Sequence, residues 1–517
     1  MPTLRLVVPG FVLFATVLVA PPARAQSENA QRLLAVTPLS ASLFQPVLDL
    51  SNVDTGLDVP ASQAPDGAAQ TSSSSEGRDC DGCPRRRPLK SFLDVTFVNV
   101  FYELANLGRG QVTAHITPKS WWANMQQGWV WDLDDFGVNQ IGHPYQGNNY
   151  FNAARSNGLS FWESAGLTAF GSGTWEYFGE TNKASVNDLI NTTLGGIALG
   201  EMFHRTAWLV RDTHATGKPR KTKELVALAI DPVTGINRFI SHDSSRVSDM
   251  PPEMVPSNLA IMGSTGVLWR GSNTNEFEST ARPFLELDML YGDPKGRSRT
   301  PYDAFRVLMR FGGGAAFSEA TVRGRLLGQP FHGGGLQLNV SQDYDFNKNS
   351  AYQFGAQSFS LNVSYGNLIS SGTSFFVSGW GGLTALGAVD SIPLTGKVPE
   401  EETDGESDAG QGVSEGPRYY DYGPGTNFGA SAILRHGEQP IVVFTYNAHH
   451  IHSLDGVRAN HFLQQLRADG MIRLKGALGA GVSGEYFDRR TFFSGTVTET
   501  KNYHFPQVRV FATWSFS

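Results

Sequence analysis

The stretch Ser358–Gly366, "SFSLNVSYG", decides the fold of the C-terminal half of the chain. Phe359, Leu361 and Val363 alternate with serine and asparagine, so a β-strand here has one apolar and one polar face. The segments "LQLNVS", "LELDMLY", "FRVLMRF" and "QVRVFATWSFS" repeat this alternation. From about residue 258 onwards we count roughly twelve such segments, each at least as long as the roughly 9–11 residues that a tilted strand needs to cross a bilayer.

The polar faces of these segments carry charges. A soluble β-sandwich also alternates, but charged side chains at this density are typical of the wet lumen of a membrane barrel. We therefore predict an α+β chain, in which an N-terminal helical module precedes an antiparallel transmembrane-type β-barrel of about 12 strands. The arginines expected to line the lumen and to pair with acids are Arg306, Arg310, Arg323, Arg325, Arg467, Arg473 and Arg509.

The N-terminal residues indicate export. Residues 1–25 carry Arg5, an apolar run and an Ala-Arg-Ala ending, which is typical of a secretory signal peptide. Residues 26–88 are rich in Ala, Ser, Pro and Asp and predict a disordered leader. We assign 89–215 to a helical domain and 216–517 to the barrel. These features predict a protein of the cell outer membrane with both termini in the periplasm, in contact with outer-membrane lipid and the barrel-assembly machinery.

The composition excludes several classes of protein. The chain has 41 Lys and Arg against 48 Asp and Glu, a net charge of -7, so no basic field suggests a nucleic-acid partner. Cys80 and Cys83 are its two cysteines, and two thiols cannot complete a structural zinc site. We expect no metal and no cofactor.

The helical domain carries recognisable signals at its helix ends. Pro144 suits a first helical position, and Ser160 with Glu163 forms a capping box. Asp188 follows Ser185 at the same spacing, which gives that acid a structural explanation beside any functional one.

Acidic side chains recur about one helical turn apart in this domain. Glu176 and Glu180 share one helix face, and Glu201 is followed one turn later by Arg205. Glycines inside these helices, such as the pair 195–196, indicate close helix–helix approach. Because aligned acids cannot all be buried unpaired, we expect these glutamates to face arginines, from Arg205 and from the lumen wall.

Three motifs, "GHPYQGNNYFNAARSNG", "GSGTWEYFGE" and "SVNDLINTTLGGIALGE", lie in order between Gly142 and Arg205. Together they resemble the bacterial envelope family catalogued as domain of unknown function 3943. The resemblance implies a Gram-negative envelope protein and no established activity. The motif residues that it singles out are Gly142, His143, Pro144, Tyr150, Arg155, Glu163, Trp175, Glu176, Glu180, Asp188, Asn191, Gly195, Gly196, Glu201 and Arg205.

Two functions fit these features. The first is a non-enzymatic role in transport or envelope organisation, with an unknown substrate and with the helices as a plug of the lumen or a periplasmic module. The second is an envelope enzyme that acts on lipid or peptidoglycan, with His143, Glu176, Glu180 and Asp188 as catalytic candidates. The sequence has no self-sufficient catalytic motif such as a nucleophile elbow, so we favour the first.

Overall fold

A computed structural model describes residues 82–274, 276–331, 335–370, 372–391, 420–436, 439–494 and 500–516. The predicted signal peptide, most of the leader, Cys80 and the acidic segment 392–419 lie outside these residues. Within the described part, no helix combines the length and apolarity needed to cross a membrane. The helices are α1 (Pro88–Gly108), α2 (Pro118–Gln127), α3 (His143–Arg155), α4 (Phe161–Phe178), α5 (Val186–Ile190), α6 (Gly196–Val210), α7 (Gly217–Ile230) and α8 (Pro232–Ile240), with π-helical turns at Val138–Gly142 and Asn191–Gly195.

The second half of the chain forms a closed antiparallel barrel. Each strand pairs with its neighbours in sequence, and the first pairs with the last, so no strand edge is left open. The predicted fold class and the predicted number of strands are confirmed. The strands are β1 (Leu259–Arg270), β2 (Arg282–Tyr291), β3 (Phe305–Gly312), β4 (Ala315–Phe331), β5 (Leu336–Lys348), β6 (Gln353–Ser370), β7 (Thr373–Asp390), β8 (Tyr420–His436), β9 (Gln439–His452), β10 (Ala459–Lys475), β11 (Leu478–Phe493) and β12 (Thr500–Phe516).

The helical module is longer than the sequence predicted. Helices α7 and α8 extend it to Ile240, and the first strand begins only at Leu259, so the proposed boundary between residues 215 and 216 is wrong. In α7 the buried residues Glu224, Ala227 and Ile230 recur every three positions, which is a helical period rather than the two-residue period of a strand.

One face of each strand points into the lumen, where ion pairs bridge the barrel. Arg310 on β3 lies 2.7 Å from Glu286 on β2 and 2.8 Å from Glu485 on β11. Arg467 on β10 reaches Glu286 at 2.7 Å. Because β3 and β11 are four positions apart around the ring, as are β2 and β10, only side chains inside the barrel make these contacts.

The other predicted lumen arginines have polar partners, and for Arg473 and Arg323 the hydrogen-bond partner is a group other than an acid. Arg473 is exposed and donates to the carbonyl of Gly476 in the β10–β11 turn at 2.8 Å. Its expected pairing with an acid is wrong, because at the rim of the barrel water solvates the guanidinium. The remaining contacts are Arg509–Glu286 (2.8 Å), Arg306–Asp288 (2.6 Å), Arg325–Asp303 (2.8 Å) and Arg323–Asn447 (3.0 Å).

The helical module packs against the outward face of the barrel wall. Val322 and Tyr344 are cross-strand neighbours that alternate with the lumen pair Arg323 and Asp343, and they belong to one apolar core with Phe151 of α3. Similar contacts cover the outside of the wall from β2 to β8. The prediction of a lumen plug is therefore wrong. The outward face of β2 to β5 offers the helices an apolar surface to pack on, whereas ion pairs and apolar side chains such as Phe354 and Leu463 already occupy the lumen.

Candidate functional site

His143 and Asp188 lie together on the side of the helical module nearest β8. His143 is the first residue of α3, directly after the turn Val138–Gly142, and Asp188 lies in α5. His143 Nε2 is 3.5 Å from Asp188 Oδ1, and His143 Nδ1 is 3.2 Å from Thr192 Oγ1. Both side chains are buried. Two of the four catalytic candidates thus form a histidine–carboxylate pair.

Glu176 and Glu180 join this pair. Glu176, near the end of α4, accepts a hydrogen bond from the backbone N–H of Ser185 at 2.7 Å, and Glu180 accepts one from Trp175 Nε1 at 3.1 Å. Burial, followed by the nearby Asp188, raises the pKa of Glu180 to about 8 and raises the pKa of Glu176 well above its ordinary range. All four candidates therefore meet in one acid cluster.

This acid cluster has no cationic partner. None of the described arginines and lysines forms an ion pair with Glu176, Glu180 or Asp188. The prediction that Glu176 and Glu180 face arginines is therefore wrong, because the lumen arginines lie across the barrel wall and already pair with lumen acids. A buried carboxyl without a cation is more stable when protonated, which is why burial raises these pKa values.

Two further acids that the sequence analysis missed, Asp132 and Asp134, lie at the edge of the acid cluster and are half-buried. Asn139 donates to the Asp132 carboxylate at 3.2 Å. Burial, followed by the charge of Asp132, raises the pKa of Asp134 to about 8. The available signal was the acidic run "WDLDD" directly before the family motifs. These two acids connect the cluster to solvent.

Both π-helical turns border the acid cluster. Val138–Gly142 leads into His143, and Asn191–Gly195 carries Thr192. Such turns are frequent at functional sites. The fully buried Asn191 makes no side-chain hydrogen bond within the described residues. An unsatisfied buried polar group lowers the stability of the folded state by about 1–3 kcal/mol. Asn191 is therefore a polar group that folding alone does not explain.

The barrel contributes two tyrosines from the start of β8. Asn139 Nδ2 donates to Tyr420 Oη at 2.6 Å, and Asn187 Nδ2 donates to Tyr422 Oη at 3.3 Å and to Asp188 Oδ1 at 2.9 Å. Hydrogen bonds thus tie the acid cluster to the outward wall. No local sequence pattern predicts this contact, because the paired residues are more than 230 positions apart along the chain.

Glu201 does face arginines, at the other end of the module. It lies 2.8 Å from Arg155 of α3 and 2.8 Å from Arg205, one turn along α6. Arg205 also donates to the carbonyl of Glu253 at 2.7 Å. Burial alone raises the pKa of Glu201, but the charges of Arg155 and Arg205 outweigh it and lower the pKa to about 2. Glu201 is therefore an ionised structural residue.

The remaining motif residues build the helices. Glu163 and Ser160 form the predicted capping box at the start of α4. A Cβ on Gly196 would lie 2.5 Å from the backbone of Gly147, so α3 and α6 touch through their glycines as expected. The others are Gly142 at the end of the first π-helical turn, Pro144 against Gly195 (2.7 Å from a Cβ there), Tyr150 with Gln146 (2.6 Å) and Trp175 with Glu180.

A second histidine–acid pair lies beside a cavity near Glu201. His204 Nδ1 is 3.1 Å from Asp231 Oδ2, and His204 Nε2 has no hydrogen-bond partner among the described residues. His204 lines a cavity of about 200 Å³ together with Arg155 and Glu253. In the part of the chain that the structure describes, no group of three or more His, Cys, Asp or Glu side chains is arranged to hold a metal ion.

The family comparison agrees with the motifs. A family model described as Domain of unknown function (DUF3943) matches residues 128–233. The matched residues lie within the helical module. The match confirms the resemblance, and the acid cluster with Asp132 and Asp134 lies within the matched residues, whereas the two tyrosines of β8 lie outside them.

Several solved outer-membrane proteins match the chain at low similarity. The NanC porin matches 50% of this chain and 98% of its own, with 9% identity and a TM-score of 0.24. An anion-selective porin from Comamonas acidovorans matches 50% and 99%, with 9% identity and a TM-score of 0.20. Omp33 of Acinetobacter baumannii matches 50% and 97%, with 8% identity and a TM-score of 0.21. None of the curated proteins compared with the chain matches it.

Proposed function

We propose that this protein is an outer-membrane β-barrel whose helical module carries an acid–base site for a lipid substrate. The observation that carries the proposal is the cluster of His143 with Asp134, Glu176, Glu180 and Asp188, which are packed together with no lysine or arginine of the described residues paired to them. Buried acids of this kind cost stability. Several perturbed pKa values in one place are typical of functional sites.

The barrel supports the outer-membrane location. A closed antiparallel barrel leaves no backbone group unpaired in hydrocarbon. On the outward face away from the helices, Leu361, Ile472 and Val482 are 50%, 63% and 57% exposed, and a wide apolar surface of this kind is stable in lipid. With an even number of strands, the start of the first strand and the end of the last strand lie on the same side of the membrane, which we propose to be the periplasmic side.

The ion pairs inside the lumen support a role of the barrel as a scaffold for the helical module and not as a passive transport channel. The ion pairs of Arg310, Arg467 and Arg509 with Glu286 and Glu485 cross the lumen and are largely buried. A solute that passes this level has to separate them, and leaving one buried partner unpaired costs about 3–5 kcal/mol. We therefore propose that the barrel holds the helical module at the membrane and is not a general pore.

The acid cluster has the chemistry for proton transfer in both directions. Burial lowers the pKa of His143, so a neutral imidazole accepts a proton near neutral pH, while Glu180, with a pKa of about 8, is a carboxylic acid that donates one. General acid–base catalysis needs such a pair. Because the cluster lies against the outward wall and reaches solvent through Asp132 and Asp134, a lipid headgroup suits it better than peptidoglycan.

Lipid profiling of cells tests this proposal. A strain without the gene is complemented with wild type, with His143→Asn or with the matched control His204→Asn. His204 is also buried beside an aspartate, Asp231, but lies outside the acid cluster. Heat-modifiable migration verifies that each variant assembles. We expect wild type and His204→Asn to restore the lipid species that deletion alters, and His143→Asn to leave them altered.

The other outcomes separate the alternatives. If His143→Asn assembles and restores the lipids fully, the imidazole has no catalytic role. A deletion that alters muropeptides and leaves lipids unchanged favours peptidoglycan as the substrate. A deletion that alters neither favours the non-enzymatic, envelope-organising role.

A further inference from the structure

Helix α1 has an inverted distribution of polar and apolar residues. Its charged residues Lys90 and Asp94 turn towards the module, where Lys90 Nζ is 2.7 Å from Asp94 and 2.7 Å from Asn237 of α8. Glu103 is buried. The exposed Thr96 donates its hydroxyl to the carbonyl of Phe92 at 3.0 Å. The outward residues are Leu89, Phe92, Leu93, Phe97, Val100, Phe101, Leu104 and Leu107, of which Phe97 is 66% exposed.

This apolar surface extends beyond α1. The rings of Phe92 and Phe170 lie 5.0 Å apart, which joins α1 to α4. Exposed apolar residues continue on α4 and α8, and they are Trp162, Phe170, Phe178, Ile236, Phe239 and Ile240. A contiguous surface of this size is rare on a soluble monomer and indicates a partner.

The barrel indicates which partner covers this surface. From β2 to β8 the module hides part of the outward apolar face of the wall. Elsewhere Leu361, Val482 and Val510 leave that face exposed. Where the helices hide the wall, α1 and α4 form the outer layer of the module and present a new apolar face. On the side of α1 and α4, the outer surface of barrel plus module therefore stays apolar, which is the pattern of a surface surrounded by acyl chains.

We propose that the outward face of α1 and α4 contacts the acyl chains of the membrane, so that the helical module lies beside the barrel in the lipid. This inference rests on the proposed outer-membrane location of the barrel. It places the module against the membrane rather than free in the periplasm.

Site-specific photocrosslinking in proteoliposomes of phosphatidylethanolamine and phosphatidylglycerol tests the inference. The full chain carries benzoylphenylalanine at Phe97, at Val482 as the barrel control, or at the exposed Lys221 of α7 as the solvent control. Mass spectrometry then measures acyl-chain adducts. We expect Phe97 to give adducts at a yield comparable to Val482 and at least about tenfold above Lys221, since hydrocarbon excludes charged positions.

The controls distinguish this inference from the proposed location. Adducts at Val482 without adducts at Phe97 overturn the inference and leave the barrel in the membrane. Crosslinks from Phe97 to residues 26–81 show that the chain's own N-terminal segment covers the face, and crosslinks to a second copy show a dimer; either result also overturns it. The absence of adducts at both positions removes the proposed membrane location as well.

Discussion

Replacing Glu201 with glutamine measures how strongly one buried ion pair stabilises the helical module. Glu201 is fully buried between Arg155 and Arg205, at 2.8 Å from each. Its pKa falls from 4.5 to about 2 in the folded protein. At about 1.36 kcal/mol per pH unit, this corresponds to roughly 3 to 4 kcal/mol of stability at pH 7. Because the folded pKa is the lower one, this stability is present above pH 4.5 and is lost as the pH falls towards 2.

Hydrogen exchange of α6 amides in the detergent-solubilised full chain measures this loss. We expect Glu201→Gln to speed the exchange of α6 by about 300-fold at pH 7, because about 1.36 kcal/mol corresponds to each factor of ten. The difference from wild type should narrow as the pH falls from 4.5 towards 2. Glu176→Gln is the matched control, since it is the same change at a buried glutamate without a cation. Exchange of α6 in Glu201→Gln within roughly threefold of wild type at pH 7 refutes the reasoning.

Three further predictions concern the acid cluster, the packing of α3 on α6 and the lumen. Glu176→Gln should leave the exchange of α4 unchanged at pH 7, because burial already keeps this carboxyl protonated; a large loss of protection would reveal an ionised, paired carboxylate. Gly147→Ala would place a Cβ 1.8 Å from the Thr192 carbonyl and should lower the free energy of unfolding, measured by thermal denaturation, by about 1–3 kcal/mol. The control Gly166→Ala has open space around it and should raise that free energy by up to about 1 kcal/mol. Equal effects of the two substitutions contradict tight packing of α3 on α6. In planar bilayers the wild type should conduct little and Glu485→Gln should conduct more, because it weakens the lumen bridge; a wide open wild-type pore contradicts the closed lumen.

Part of the candidate site was predictable from local patterns. His143, Glu176, Glu180 and Asp188 were identified because family motifs and helical spacing are properties of short segments. Their chemistry was not predictable, since whether a buried glutamate is ionised depends on which charges surround it. Glu201 and Glu176 look alike in sequence, yet one lies between two arginines and the other among acids.

The sequence by itself determined the barrel, because the alternation of apolar and polar residues is local and a closed barrel satisfies strands that are apolar on one side. Only the tertiary structure decided where the helices lie. Tyr344 and Asp343 are adjacent in sequence and point to opposite sides of the wall. The alternation alone does not predict on which of these two sides the helices pack. The ion pairs within the lumen and the outward-facing Tyr344, whose hydroxyl donates to the Gln140 carbonyl of the helical module at 2.6 Å, place the helices outside. That choice depends on contacts between residues more than 200 positions apart, which no local period encodes.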